Sequence, residues 1–278
     1  ETQSYGAGGG INVTIMARDA ESFRQSRTQV AADIARAVLE FCADSKKLGA
    51  KTLFATWPDS QGELLINVDI DIETADWEPL KQDALKTWQA PEQVIYPQDV
   101  KPYLLPTAHT PVDGLVLDTA RKITGNEQDP LKKARLIYEW VSSHMERDND
   151  VIGCGTGDVA EILKSGKLKG KCTDMSSVFV ALARASGIPA RELFGIRLGK
   201  ANKLERYSKS AFGKADSAGV ADVSGGQHCR AEFYLAGYGW LPCDPADVTK
   251  MRLAEKKSHQ DADVQAVNTY LFGNWEMN

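Results

Sequence analysis

Residues 170–190 read GKCTDMSSVFVALARASGIPA, a cysteine followed by a helical pattern. Apolar side chains recur after the cysteine at helical spacing, at Met175, Val178, Phe179 and Leu182. Because Gly187 and then Pro189 would stop such a helix, the pattern predicts a helix over residues 172–185. Unpaired backbone N–H groups and the positive end of the helix dipole would favour the thiolate of Cys172, which is the nucleophilic form.

Cys172 by itself has a more ordinary interpretation. A free cysteine is most often a small buried hydrophobic residue. A catalytic interpretation needs a base, an acid that orients the base, and donors for an oxyanion, of which the Cys172 backbone N–H would be one. The sequence after residue 226 favours catalysis, because it supplies both the base and the acid.

A predicted β-hairpin supplies these two groups. Residues 228–235 alternate as a strand, and residues 240–244 form the next strand after the turn residues AGYG. We expect His228 to lie opposite Asp244, on one face of the hairpin. An exposed His–Asp pair would matter little, since such pairs contribute about 0–1 kcal/mol. Near a cysteine, however, the acid would fix the imidazole tautomer and stabilise the imidazolium. Cys172, His228 and Asp244 are therefore predicted as nucleophile, base and orienting acid.

The other cysteines have open interpretations. The same hairpin register puts Cys229 opposite Cys243 on the other face, where two reduced core thiols are expected rather than a cross-strand disulfide. Cys154 lies in a glycine-rich loop and is either a thiol that lines the cleft or a plain loop residue. Asp174, in the first helical turn, is interpreted as a capping residue rather than a substrate contact.

These residues resemble a known family. The resemblance is carried by three blocks: GKCTD at 170–174, GQHCRAE at 226–232 and WLPCDP at 240–245. They look like the transglutaminase-like superfamily, in a bacterial branch, with the catalytic residues in the order Cys, His, Asp. The resemblance covers residue 113 to the C-terminus. It implies a papain-like α+β core, in which the nucleophile helix packs on an antiparallel sheet that carries the His and the Asp.

The resemblance also implies an activity. The family includes transglutaminases, cysteine peptidases and amidases, so it implies thiol-dependent acyl transfer or hydrolysis at amide bonds of peptide or protein substrates. Hydrolysis is favoured over crosslinking, because water needs no special acceptor pocket. Thr173 and Asp174 stand where animal transglutaminases have an aromatic residue, so calcium and crosslinking are not carried over. The alternative is a binding or scaffold protein that keeps the fold without the chemistry.

Composition argues against several other classes. The formal charge is -5 and the sequence has no basic block, so it lacks the clustered positive charge that is typical of nucleic-acid-binding proteins. No run approaches the roughly 18 apolar residues of a membrane span, so no membrane insertion is expected. With four histidines and no CxxC motif, neither a metal nor another cofactor is expected. A zinc site of Cys154, Cys172, His228 and Cys229 is disfavoured, because strand alternation turns His228 and Cys229 to opposite faces.

Three segments are predicted along the chain. Residues 1–90 alternate strand and helix patterns and form a small α+β domain of unknown role. Residues 91–112 contain five prolines without periodicity and form a linker. Residues 113–278 form the catalytic domain, and the resemblance implies that it is truncated at its C-terminus. Within it, the loop at 199–226 is either a cleft lid or a disordered insertion.

The N-terminus bears on the compartment. The chain begins at Glu1 rather than Met, and residues 5–10 read YGAGGG, a flexible lead-in. A removed signal peptide or an excised fragment would explain this beginning. Because both explanations fit, the N-terminus does not fix the compartment; a periplasmic or secreted location is favoured over a cytoplasmic one.

Overall fold

The computed structural model describes five stretches of the chain: residues 11–17, 64–70, 87–151, 153–196 and 227–274. The loop predicted at 199–226 and the helices predicted before residue 87 lie outside these stretches. The chain divides into two compact units, Glu1–Asp76 and Trp77–Asn278. No helix within the described stretches is both long and apolar enough to cross a membrane.

The first unit contains an antiparallel pair of strands. Strand β1 (Ile11–Ala17) pairs with β2 (Leu64–Ile70), with Val13 opposite Val68. Both strands were predicted from alternating apolar residues, and the structure confirms them.

The described part of the second unit holds six α-helices, a 3-10 helix and five strands. The helices are α1 (Gly114–Thr124), α2 (Pro130–His144), α3 (Val159–Ser165), α4 (Cys172–Ala185), α5 (Pro245–Ala254) and α6 (Ala262–Tyr270), with the 3-10 helix at Lys101–Leu104. The strands are β3 (Glu146–Arg147), β4 (Lys169–Gly170), β5 (Ala190–Ile196), β6 (Gln227–Leu235) and β7 (Gly239–Cys243). The order in the main sheet is β5-β6-β7, and all neighbours are antiparallel. The predicted α+β class is confirmed.

Helix α4 is the centre of this unit. Its bounds are those predicted, and every residue from Cys172 to Ala183 is buried. The helix contacts α1, α2 and α5 on its helical side and β5 and β6 on the sheet side. Its buried hydroxyls have partners: the Ser176 Oγ donates to the Cys229 carbonyl at 3.3 Å, and the Ser177 Oγ donates to Glu192. The sheet thus holds the helix that begins at Cys172.

The register of the hairpin differs from the predicted one. Ala231 lies opposite Cys243, and Leu235 lies opposite Gly239, so the predicted pairing of Cys229 with Cys243 is wrong by two residues. The turn explains the shift, because residues 236–238 are all needed to reverse the chain, with Gly237 in the left-handed region at φ 78°. A shift of two keeps each side chain on its predicted face, since strand side chains alternate with a period of two.

The proline-rich segment and the residues just before it contact the hairpin and the main sheet. Before the segment, the Trp88 Nε1 donates to the Ala236 carbonyl, in the turn between β6 and β7, at 3.3 Å. Further along, the ring of Tyr103 packs edge-on against Trp240, with centroids 5.0 Å apart. Arg191, on β5, stacks on the same Trp240 ring at 4.1 Å and pairs with Glu232 at 2.7 Å.

The start of α2 yields a stability prediction. The Asp129 carboxylate accepts hydrogen bonds from the backbone N–H groups of Leu131 (2.8 Å) and Lys132 (3.2 Å). We expect Asp129→Ala to lower the free energy of unfolding by about 1 kcal/mol, because this cap is lost. Urea titration would measure it, with Asp118→Ala on the exposed face of α1 as the control. Equal midpoints for the two variants would contradict the prediction.

Candidate active site

The three predicted site residues lie at the ends of different elements. Cys172 is the first residue of α4, and His228 is the second residue of β6. Asp244 follows β7 directly and caps α5, where its Oδ1 accepts from the Asp247 N–H at 2.9 Å. The turn of β6 into β7 therefore brings the histidine strand and the aspartate cap together.

His228 and Asp244 form a close hydrogen bond. The His228 Nε2 lies 2.6 Å from the Asp244 Oδ2, and Asp244 is 1% exposed. The Arg230 Nε lies 3.2 Å from the same oxygen, and an Asp247 oxygen lies 3.8 Å from the imidazole. The observed register pairs Ala231 with Cys243, so the next residue on each strand, Arg230 and Asp244, would lie opposite each other. Asp244 therefore contacts His228 as a diagonal neighbour, on the predicted face of the hairpin. The sequence analysis missed Arg230 and Asp247, although the first is two residues from His228 on the same strand face.

His228 also contacts the cysteine. A hydrogen bond with His228 is among the contacts that lower the pKa of the Cys172 thiol, and the same contact raises the pKa of His228. Because Asp244 occupies Nε2, Nδ1 is the ring nitrogen left available to Cys172. The structure thus links the three predicted residues in one row: thiol, imidazole, carboxylate.

Two further thiols surround Cys172. The sulfur atoms of Cys154, Cys172 and Cys229 all lie within 4.8 Å of one another, and all three residues are buried. Cys154 therefore lies beside Cys172, which agrees with the interpretation of Cys154 as a second thiol near the predicted nucleophile. Strand alternation does turn Cys229 towards α4, where its Sγ lies 3.0 Å from the Thr173 Oγ1. Cys229 nevertheless lies beside Cys172, and the three sulfurs group without His228, which groups with Asp244 and Asp247.

These contacts create an ion pair. Hydrogen bonds from Cys154 and Cys229 outweigh burial and, with the nearby His228, hold the pKa of Cys172 well below its usual value. Burial by itself would lower the pKa of His228, but the charges of Asp244 and Asp247 and the hydrogen bonds to Asp244 and Cys172 raise it to about 9. Near neutral pH the site therefore holds a thiolate beside an imidazolium.

Asp174 fixes the loop that carries Cys154. Its Oδ2 accepts from the Lys171 N–H at 2.8 Å and its Oδ1 from the Gly157 N–H at 2.7 Å. A Cβ at Gly155, whose φ is +104°, would lie 1.9 Å from the Asp174 Oδ2, so no other residue fits there. The capping role predicted for Asp174 is confirmed, with the loop contact added to it.

Comparison with known proteins identifies the fold family. Residues 117–245 match the family model of the transglutaminase-like superfamily. Residues 117–245 therefore form a transglutaminase-like core. The matched stretch contains all three predicted site residues, and the family explains the helix-on-sheet core.

One sequence relative is longer than this chain. A protein of Haemophilus influenzae (strain ATCC 51907 / DSM 11121 / KW20 / Rd), described only as uncharacterized, is 59% identical over 238 residues. These residues make up 86% of this chain and 64% of that protein. The chain thus spans less than two thirds of the relative's length.

Several solved structures resemble the transglutaminase-like unit. A candidate cysteine protease from Cytophaga hutchinsonii is 22% identical with a TM-score of 0.42, over 56% of this chain and 45% of that one. The periplasmic domain of TgpA from Pseudomonas aeruginosa is 18% identical with a TM-score of 0.41, over 62% of this chain and 53% of that one. Red sea bream transglutaminase is 20% identical with a TM-score of 0.32, over 47% of this chain and 25% of that one. At these values the likeness concerns the core fold and carries no information on substrates.

The two bonds to Asp174 generate a prediction. Asparagine has the same shape but only one accepting oxygen, so Asp174→Asn would leave one of the two buried N–H groups facing an amide donor. We expect the free energy of unfolding to fall by about 2 kcal/mol. Asp158→Asn is the matched control, because Asp158 caps α3 through one accepted hydrogen bond and asparagine caps equally well. If urea unfolds both variants at the same midpoint, Asp174 does not anchor the loop.

Proposed function

We propose that the chain catalyses thiol-dependent cleavage or transfer at amide bonds of peptide or protein substrates, with Cys172, His228 and Asp244 as its triad. The row of hydrogen bonds from Cys172 through His228 to Asp244 carries this proposal. The superfamily includes cysteine proteases and transglutaminases, which supports thiol chemistry in general. Cleavage by water is the favoured outcome.

The first half-reaction forms a thioester. The Cys172 thiolate attacks the amide carbonyl carbon, and the carbonyl oxygen becomes an oxyanion that accepts from the Cys172 backbone N–H. This N–H lies in the first turn of α4, where backbone donors have no acceptor within the helix. His228 then donates its Nδ1 proton to the departing amine, and the C–N bond breaks.

The second half-reaction releases the acyl group. His228, now neutral, takes a proton from water as the water oxygen attacks the thioester carbon. The C–S bond breaks, the carboxylic acid leaves, and the imidazolium and thiolate are restored. An amine in place of water would give acyl transfer by the same steps.

Asp244 is proposed to orient the base. Its carboxylate is buried and is held by Arg230 and by the Asp247 N–H, so its Oδ2 has a defined direction. The hydrogen bond to Nε2 leaves Nδ1 to face the cysteine. It also stabilises the imidazolium, which is the form that protonates the leaving amine. An extracytoplasmic location and the proposed segment boundaries at residues 90 and 112 stay predictions.

Alkylation of Cys172 by iodoacetamide tests the ion pair. Measured by mass spectrometry against pH, labelling in the parent protein should be fast well below the ordinary thiol pKa of about 8.5. His228→Ala should move the labelling profile to higher pH, because the imidazolium that stabilises the thiolate is gone. His144→Ala, at the exposed end of α2, is the control and should leave the profile unchanged. Ordinary labelling of Cys172, equal in parent and His228→Ala, would favour the scaffold alternative.

Amide turnover tests the chemistry itself. A mixture of denatured proteins, incubated with the chain and read by mass spectrometry, should show new termini if water is the acceptor. Cys172→Ala should abolish turnover, and His228→Ala should reduce it by about 100-fold or more, the usual contribution of an acid–base catalyst. Turnover should fall as pH rises through about 9, where His228 loses its proton. Turnover that survives Cys172→Ala would rule out the proposed triad.

A further inference from the structure

Three thiols from three separate elements meet beside the base. Cys154 comes from the glycine-rich loop, Cys172 from α4 and Cys229 from β6, and their exposed fractions are 6%, 6% and 3%. The three are thiols rather than disulfides, and their sulfur atoms lie within 4.8 Å of one another. Acyl transfer needs only one of them. The other two activate the nucleophile through hydrogen bonds, but acyl transfer does not need them as sulfur ligands.

We propose that Cys154, Cys172 and Cys229 form a binding site for a thiophilic cation, with Zn²⁺ as the ion of choice, and that binding reversibly silences the nucleophile. The binding site is inferred from the three sulfurs alone. The silencing rests on the proposed function.

The distances suit such a cation. A Zn–S bond is about 2.3 Å, so two sulfurs on one tetrahedral zinc lie about 3.8 Å apart. Sulfurs already within 4.8 Å need to approach by at most about 1 Å, which side-chain rotation supplies. The positions are fixed by the fold, because the Thr173 N–H donates to the Cys154 carbonyl at 2.9 Å and Cys229 lies within β6. The site is therefore largely formed before the ion binds.

The donor atoms select the ion. Three thiolate ligands favour Zn²⁺ and Cu⁺ over Mg²⁺, Ca²⁺ and Mn²⁺, which prefer oxygen. The nearby oxygens of Asp244 point elsewhere, since they bind His228, Arg230 and the Asp247 N–H. A fourth zinc position is left for water, because His228 is hydrogen-bonded to Asp244 at 2.6 Å and groups with Asp244 and Asp247 rather than with the three sulfurs.

Charge and protons are coupled to zinc binding. Zinc with three thiolates carries only one net negative charge, because the metal neutralises two of its ligands. Binding must displace the thiol protons of Cys154 and Cys229, so affinity should rise with pH. Within the complex the Cys172 sulfur is shared with the metal, and its lone pair is no longer available to attack a carbonyl carbon. Zinc and an acyl group therefore compete for one atom.

Zinc titration of the full chain tests the site. The protein would be reduced with a phosphine, freed of metal by a chelator, and titrated with ZnCl₂ against a chromophoric chelator. We expect one zinc per chain and loss of iodoacetamide labelling at Cys154, Cys172 and Cys229 together, read residue by residue by mass spectrometry. Labelling of Cys243, the fourth described cysteine, should not respond to zinc, since it lies opposite Ala231 in β7.

Variants separate this site from adventitious binding. Cys154→Ser and Cys229→Ser should each weaken zinc binding by about 100-fold or more, as expected when a ligand rather than a supporting residue is removed. Cys243→Ser is the matched control and should bind zinc like the parent. Zinc binding that is equally tight in Cys154→Ser and Cys229→Ser, or zinc that leaves labelling of the three cysteines unchanged in the parent, would overturn the site.

Turnover distinguishes the two proposals. If zinc binds as described and the metal-free protein cleaves amides, turnover should fall in step with zinc occupancy and return when EDTA is added. If zinc binds but the metal-free protein has no activity, the site stands and the proposed function fails. Turnover that persists at full zinc occupancy would contradict the silencing.

Discussion

A single buried carboxylate, that of Asp174, holds the nucleophile end of the site together. Burying a charge is costly unless hydrogen bonds replace its water, and here the Lys171 and Gly157 N–H groups do so from either side. The carboxylate joins the start of α4 to the loop that carries Cys154. Close packing makes the arrangement specific, because a Cβ at Gly155 or at Gly170 would collide with this side chain. The position of Cys172 against its neighbouring thiol follows from this one contact.

A second capping carboxylate organises the opposite side. Asp244 accepts the Asp247 N–H that begins α5 and, with its other oxygen, binds His228. One residue thus ends the hairpin, starts a helix and orients the base. Removing the carboxylate would leave Arg230 and the imidazolium without their shared partner, which is why structural and catalytic roles are hard to separate there. Both halves of the candidate site are built on helix N-termini.

Local patterns predicted much of this arrangement. The bounds of α4 follow from a 3.6-residue period that ends at Gly187 and Pro189, and the two strands of the hairpin follow from alternation. The register was wrong because it depends on how Gly237 turns the chain, which alternation does not encode. His228 and Asp244 still meet despite this error, because a slip of two preserves the faces. The approach of Cys154 to Cys172 was not predictable, since it depends on contacts between a loop and a helix that only the tertiary structure brings together.

The contacts that activate the nucleophile also define what else it binds. Cys154 and Cys229 lower the pKa of Cys172 by hydrogen bonding to its thiolate, which requires their sulfurs to be close. Sulfurs that are close enough to donate to a thiolate are also close enough to share a metal ion once they lose their protons. The proposed acyl transfer and the proposed metal binding therefore compete for one sulfur atom, that of Cys172.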